Sequence, residues 1–153
     1  ESLKEDWRFI LPGYNVRPLE MSGAIGIEQL KKLPSFIDKR RENAEVFIKL
    51  FKSDDRFIIQ KEIGESSWFG FSLIINDKAV SRKSVIKLLG DNNIDCRPIV
   101  TGNFTRNDVM KYFNYSIHNN LDNADKVHDH GLFVGNSHED LTKELHYLRR
   151  ILA

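Results

Sequence analysis

Between Leu33 and Phe51 the apolar positions recur at helical spacing, with Leu33, Ile37, Ala44, Phe47, Ile48 and Phe51 on one side. Asp38, Arg40, Arg41, Glu42 and Glu45 supply a mostly polar opposite side, so the pattern predicts an amphipathic helix with one buried stripe. Pro18 suits the first turn of that helical region, because its fixed φ is already helical and its missing N–H is not needed there. Residues 1–17 then read as an irregular lead-in. Pro34 interrupts the pattern and predicts a kink or two abutting helices in place of one straight rod.

Beyond Phe51 the period falls to two. Phe57-Ile58-Ile59-Gln60 is a short strand, and Trp68 to Ile75 is a stronger one in which Phe69, Phe71, Leu73 and Ile75 share a face, with Gly64 and Ser66-Ser67 turning the chain between them. Ser81 can cap a helix carrying Val85, Leu88 and Leu89 that Gly90 ends, and Ile94 to Ile99 reads as a return strand. Thr105 or Asn107 can start a short helix through Tyr112, Leu121 to His130 forms another, and Gly131 to Gly135 is a brief buried strand. Ser137 followed by Asp140 resembles a capping box for a last helix with Leu141, Leu145, Leu148 and Leu152 in one stripe. No repeat or low-complexity segment breaks the chain, so residues 1–153 are expected to form a single domain.

Composition removes several function classes. Twenty-three basic residues against twenty-two acidic ones leave a formal charge of +1, so no single-sign field draws the chain to nucleic acid or anionic lipid. Cys96 is the only cysteine, which excludes an internal disulfide and a thiolate metal site and suits a reducing, cytoplasmic compartment. No apolar run approaches the roughly 18–20 residues of a membrane helix, so no membrane association is expected. The first residue is Glu, which is consistent with a piece of a longer protein.

The candidate chemistry is sparse. His128 and His130 are two apart, which points them to different sides of a helix, and Thr142 stands where a second ligand of a His138-Glu139 zinc motif would be needed, so no metal is expected. Neither phosphate-binding glycine pattern nor a serine nucleophile elbow is present, and Cys96 reads as a small core residue. Phe69-Gly70-Phe71 is similar to the aromatic centre of RNA-binding sheets, which keeps an RNA- or protein-binding α+β module open, although Trp68 replaces the preceding glycine and no basic residue leads it. Two polar clusters stand out: Gly13-Tyr14-Asn15-Val16-Arg17, whose amide and guanidinium can meet an oxyanion, and Asp95, Arg97, Thr101, Gly102 and Asn103 around a predicted strand end.

Those clusters also carry a resemblance. Gly13 to Arg17, followed by Met21-Ser22-Gly23-Ala24-Ile25-Gly26 and Gln29-Leu30-Lys31-Lys32-Leu33, resembles the opening of the small C-terminal domain in the DegT/DnrJ/EryC1/StrS family of sugar aminotransferases and dehydratases. Ser67 to Phe71, Arg97 to Phe104 and Gly131 to Asn136 resemble the family's 3-dehydratase branch most. The resemblance implies an α+β small domain of a fold-type-I enzyme, with a short, mainly antiparallel sheet packed with helices. It implies pyridoxal 5'-phosphate or pyridoxamine 5'-phosphate as cofactor, a nucleotide-linked 4-keto-6-deoxy sugar as substrate, glutamate as amino donor, a homodimer, and a role in surface polysaccharide (lipopolysaccharide) biosynthesis. A sugar aminotransferase of the same family is the alternative. By the same resemblance Asn15 reaches the cofactor phosphate of the neighbouring subunit, and Arg17, Trp68, Asp95, Arg97 and Asn103 are candidates for substrate contacts. The family's Schiff-base lysine, or the histidine that replaces it in 3-dehydratases, lies in a segment these residues do not include. No catalytic residue is therefore assigned here, and the chain alone is expected to be inactive.

Overall fold

The computed structural model describes residues 8–14 and 19–153. A long helix, α1 (Glu20–Phe51), is followed by β1 (Phe57–Ile59), β2 (Gly70–Ile75), α2 (Arg82–Asp91), β3 (Cys96–Arg97), two short 3₁₀ turns (Phe104–Arg106 and Asp108–Tyr112), α3 (Asp122–His130), β4 (Gly131–Gly135) and α4 (Thr142–Ile151). The four strands form one sheet in the order β1-β2-β4-β3, and every neighbouring pair is antiparallel. The architecture is α+β, as expected. Because β4 is inserted between them, β2 and β3 run parallel without touching, and α2 makes the crossover that two parallel strands require.

One face of the sheet carries the core. Phe71, Leu73 and Ile75 of β2 and Leu132 and Val134 of β4 alternate inward, as a period of two demands. They meet Ala44, Phe47 and Phe51 from α1, Val85 and Leu89 from α2, and Leu145 and Leu148 from α4, with Leu152 just after it. Phe47 stacks on Phe51 and Phe71 with ring centroids 4.9 and 4.8 Å apart. The apolar stripe read from the second half of α1 is therefore the packed one, and the leucine stripe of α4 is likewise buried.

Pro34 does not divide α1: a single helix of 32 residues runs through it. Proline removes the hydrogen bond to the carbonyl four residues back, here Leu30, but that turn is exposed and water can take the vacated acceptor. The helix start falls at Glu20, and Pro18 lies outside the described residues. Ser81 caps α2 by accepting the Ser84 N–H at 3.0 Å. That helix ends one residue later than expected, with Asn93 at φ 56° in the left-handed position expected of Gly90. The return strand shrinks to Cys96–Arg97, since Pro98 cannot donate to a ladder. In place of a reciprocal capping box, Asp140 accepts the N–H of Thr142 at 2.9 Å.

At the far end of the core, Asp54 is tied to Arg56 through Nε at 2.9 Å and Nη2 at 2.7 Å, and to Arg149 of α4 at 3.1 Å. Its side chain is 6% exposed. The hydrogen bonds from Arg56 hold its carboxyl below the ordinary carboxylate value, against the opposing pull of burial. A carboxylate whose pKa is depressed on folding contributes stability above its unfolded value of about 3.9 and loses it as pH falls through the folded value. Asp54→Asn should therefore be less stable than the parent to urea at pH 7, and the difference should shrink at pH 3. An equal difference at both pH values would show that the ionised form is not what matters.

Candidate functional site

The face of the sheet opposite the core holds the candidate site. Register places Ser72, Phe133 and Arg97 in one row across β2, β4 and β3, all pointing away from the core. Phe69 joins them, its ring 5.6 Å from that of Phe133. Asp95, just before β3, and Arg97 are both solvent-exposed, and the Arg97 side chain already interacts within the chain. The result is an aromatic pair beside a guanidinium and a carboxylate, groups suited to a sugar or base face and to hydroxyl or phosphate oxygens.

Phe69 does not share the inward face of β2. It is 77% exposed, while Trp68 before it is 1% exposed and packs near Phe47 and Phe71, with ring centroids at 6.3 and 6.4 Å. Trp68 adopts φ 49°, and that left-handed step turns the chain so that its own indole enters the core and the next ring leaves it. Two expectations change. Trp68, expected as a candidate substrate contact, is a core residue whose side chain has almost no surface to offer. The two-ring platform of an RNA-binding sheet is also missing, because Phe71 is fully buried.

An unusual backbone conformation persists only where its surroundings hold it. Here Arg40 of α1 donates Nε to the Ser67 carbonyl at 2.9 Å, Nη1 to the Asn136 carbonyl at 3.0 Å, and Nη2 to the Trp68 carbonyl. Asn136 returns the contact, donating to the carbonyls of Arg40 and Trp68, each at 3.0 Å. Nothing in the hydrophobic pattern signals this clamp. Gly70 follows directly, where a Cβ would stand 2.6 Å from the Phe133 ring and 2.8 Å from the Val134 carbonyl, so the close approach of β2 to β4 needs glycine.

Asn103 is also buried. Its Oδ1 caps the first 3₁₀ turn by accepting the N–H of Thr105 at 3.1 Å and that residue's hydroxyl at 2.7 Å, while its amide donates to Asp125 at 2.9 Å. With these groups engaged, Asn103 shapes the loop from within the fold. The irregular lead-in is fastened to the same loop: the Val109 N–H donates to the Phe9 carbonyl at 3.0 Å, and the Phe9 and Phe104 rings lie 5.7 Å apart. Asn15 and Arg17 lie outside the described residues. Cys96 packs partly against the core, and burial pushes its thiol pKa up, as suits a core residue and not a nucleophile. Among the described residues no group of acidic, histidine or cysteine side chains could hold a metal ion, and no helix is long and apolar enough to cross a membrane.

The first half of α1 differs from the second. Leu19, just before it, and Met21, Ile25, Ile27 and Leu30 within it are all exposed, whereas the second half is packed.

Comparison with known proteins bears on these surfaces. The model of the DegT/DnrJ/EryC1/StrS aminotransferase family matches residues 2–147. A GDP-4-keto-6-deoxy-D-mannose 3-dehydratase of Escherichia coli O55:H7 is 58% identical over 99% of this chain, and the chain spans only 40% of that relative's length. A crystal structure of a GDP-4-keto-6-deoxymannose 3-dehydratase with a trapped PLP-glutamate geminal diamine superposes with a TM-score of 0.86 at 58% identity, covering 97% of this chain and 39% of that one. A variant of such an enzyme with bound GDP-perosamine matches with the same TM-score, identity and coverage.

Removing the Arg40 clamp should release the Trp68 turn. Arg40→Ala takes away three donors and should lower stability by about 2–4 kcal/mol. In a Trp7→Phe background, which leaves Trp68 as the single reporter, its emission should shift to longer wavelength. Unchanged emission would mean that core packing alone holds the turn.

Proposed function

Because the chain belongs to the DegT/DnrJ/EryC1/StrS aminotransferase family, we propose that it is the C-terminal, smaller part of a nucleotide-sugar enzyme that uses pyridoxal or pyridoxamine phosphate, and that the whole protein is a 4-keto-6-deoxy-sugar 3-dehydratase. The observation that carries this reading is the 58% identity to a curated 3-dehydratase along 99% of the chain. Similarity to enzymes that act on GDP-linked sugars favours a GDP-linked substrate, and the PLP-glutamate adduct in a similar enzyme favours glutamate as amino donor. The setting that the family resemblance favours is cytoplasmic synthesis of surface polysaccharide, including lipopolysaccharide.

The described residues form one wall of a site. In this reading the Phe69–Phe133 pair offers an apolar surface to a ring of the substrate, Arg97 meets an anionic or hydroxyl oxygen, and Asp95 accepts a hydroxyl hydrogen. By the family resemblance Asn15 is assigned to the cofactor phosphate and Arg17 to the substrate, and an amide and a guanidinium are able to donate to such oxygens. A wall of this kind encloses nothing by itself, which fits a site completed by the rest of the protein and by a second subunit of a homodimer. The exposed apolar half of α1 is the surface assigned to the remaining three-fifths of such an enzyme. When bound, pyridoxamine phosphate supplies an amine for the C4 ketone and a ring that holds electrons while the C3 hydroxyl leaves. The residues of this chain orient the sugar and exclude water; the base that moves the proton belongs to the part of the enzyme this chain does not span.

Mass spectrometry of the product made by the full-length protein from a GDP-4-keto-6-deoxy sugar, pyridoxal phosphate and glutamate should show loss of the C3 oxygen. A stable 4-amino sugar that retains it would assign the protein to the aminotransferases. In the same full-length protein Asn15→Ala should weaken cofactor retention by roughly 1.5–3 kcal/mol, the contribution of a charge-assisted hydrogen bond. Equilibrium dialysis of the cofactor measures this, and unchanged retention with a large fall in Tm would give Asn15 a structural role instead.

A further inference from the structure

Behind the loop that follows β3 lies a cavity of about 190 Å³, with Arg82 from the first turn of α2, His128 from α3, and Thr101, Gly102 and Arg106 from the loop among its walls. Two of the guanidiniums near it are neutralised. Arg106 is paired with Asp129 at 2.9 Å and Asp125 at 3.3 Å, and Arg8 is paired with Asp108.

Arg82 differs. Its one hydrogen bond runs from Nη1 to the His128 carbonyl at 3.0 Å, its Nε is buried without an acceptor, and no carboxylate lies within ion-pair distance among the described residues. Burial lowers its pKa and outweighs the opposing fields of its neighbours, so the charged form is held at a cost that no ion pair among the described residues offsets. The field of Asp129 reaches it, but that carboxylate is engaged by Arg106. The Cys96 thiol, pushed up by burial, supplies no thiolate at neutral pH. His128 accepts the Asn103 N–H at Nδ1 at 3.2 Å, and burial, then Arg106, lower its pKa, so its ring faces the cavity neutral. Gly102 sits at φ 64°, and a Cβ there would stand 2.7 Å from the His128 backbone, so the loop is held tightly over the cavity.

An unpaired, partly desolvated guanidinium lining an open cavity is an incomplete arrangement, and the group that completes it is a planar or tetrahedral oxyanion able to use the guanidinium fork. We propose that this cavity is a binding site for one oxyanion, a carboxylate or a phosphate group, seated on Arg82 beneath the Thr101-Gly102 loop. The proposal is independent of the dehydratase reading, because it rests on a buried guanidinium nitrogen without an acceptor and the space beside it.

Titration of the 153-residue chain with inorganic phosphate, glutamate and acetate, each at constant ionic strength set with sodium chloride and followed by ¹H–¹⁵N spectra, tests it. The Arg82 Nε signal and the Thr101 and Gly102 amides should shift together and saturate. Arg82→Gln should weaken binding at least ~10-fold, the loss of a charge-assisted contact. Arg82→Lys, which keeps the charge, should retain saturable binding, and Arg41→Gln, remote from the cavity, should leave it unchanged. A response to phosphate alone assigns the site to a phosphate group such as a sugar nucleotide carries; a response to the carboxylates assigns it to an acidic donor or side chain. No saturable shift with any of the three, or binding that Arg82→Gln leaves intact, overturns the proposal.

Discussion

Asn43 lies at 1% exposure in the middle of α1, where its carboxamide donates to the Asn136 side chain and to the carbonyls of Ser137 and Glu139 and accepts the Leu141 N–H at 3.1 Å. A polar group this deep is tolerated only when its donors and acceptor are met, and here they bind the segment that joins β4 to α4. One turn earlier on the same helix, Arg40 holds the carbonyls of Ser67, Trp68 and Asn136. Together these two residues fix how α1 crosses the sheet. The packing of Phe47, Phe51 and Phe71 with the aliphatic core supplies burial energy, while the hydrogen bonds select one register.

That constraint reaches the outward face of the sheet. The clamp stabilises Trp68 in a left-handed conformation, which sends its indole inward and Phe69 outward beside Phe133 and Arg97. A rigid element thus presents an aromatic and charged wall without any strain being visible to a ligand. The loop after Pro98 is organised separately, by Asn103, Asp125 and the glycine at position 102, and it encloses the cavity at Arg82. The two features adjoin, because Arg97 of the wall is the last residue of β3 and the loop that lines the cavity begins at Pro98.

Much of this fold could be read directly. The stripes of α1 and α4, the cap at Ser81 and the strand at Gly131 to Gly135 all leave local signatures, because each depends on residues within a few turns of each other. Gly13 to Arg17 and the Arg97 to Asn103 run also carried the family, and with it the expected cofactor and substrate. Where the reading failed, the cause was an assumption of regular alternation. Phe69 was placed with Phe71 on the strength of period two, yet one positive φ at Trp68 breaks that phase. Of the kink or the two abutting helices expected at Pro34, the division does not occur, because an exposed turn can lose a backbone bond to water without ending the helix.

The sequence by itself determined the class of the fold, the faces that pack and the family, since these follow from periodicity and from motifs of neighbouring residues. Only the tertiary structure decided that Trp68 and Asn103 are buried, that Arg40 and Asn43 hold the helix to the sheet, and that Arg82 makes no ion pair among the described residues. The Arg40 contact with Asn136 spans 96 positions, and the charge balance around Arg82 depends on which carboxylates Arg106 takes first. Hydrogen-bond partners and ion pairs are chosen by distance in space, and a one-dimensional pattern records only distance along the chain.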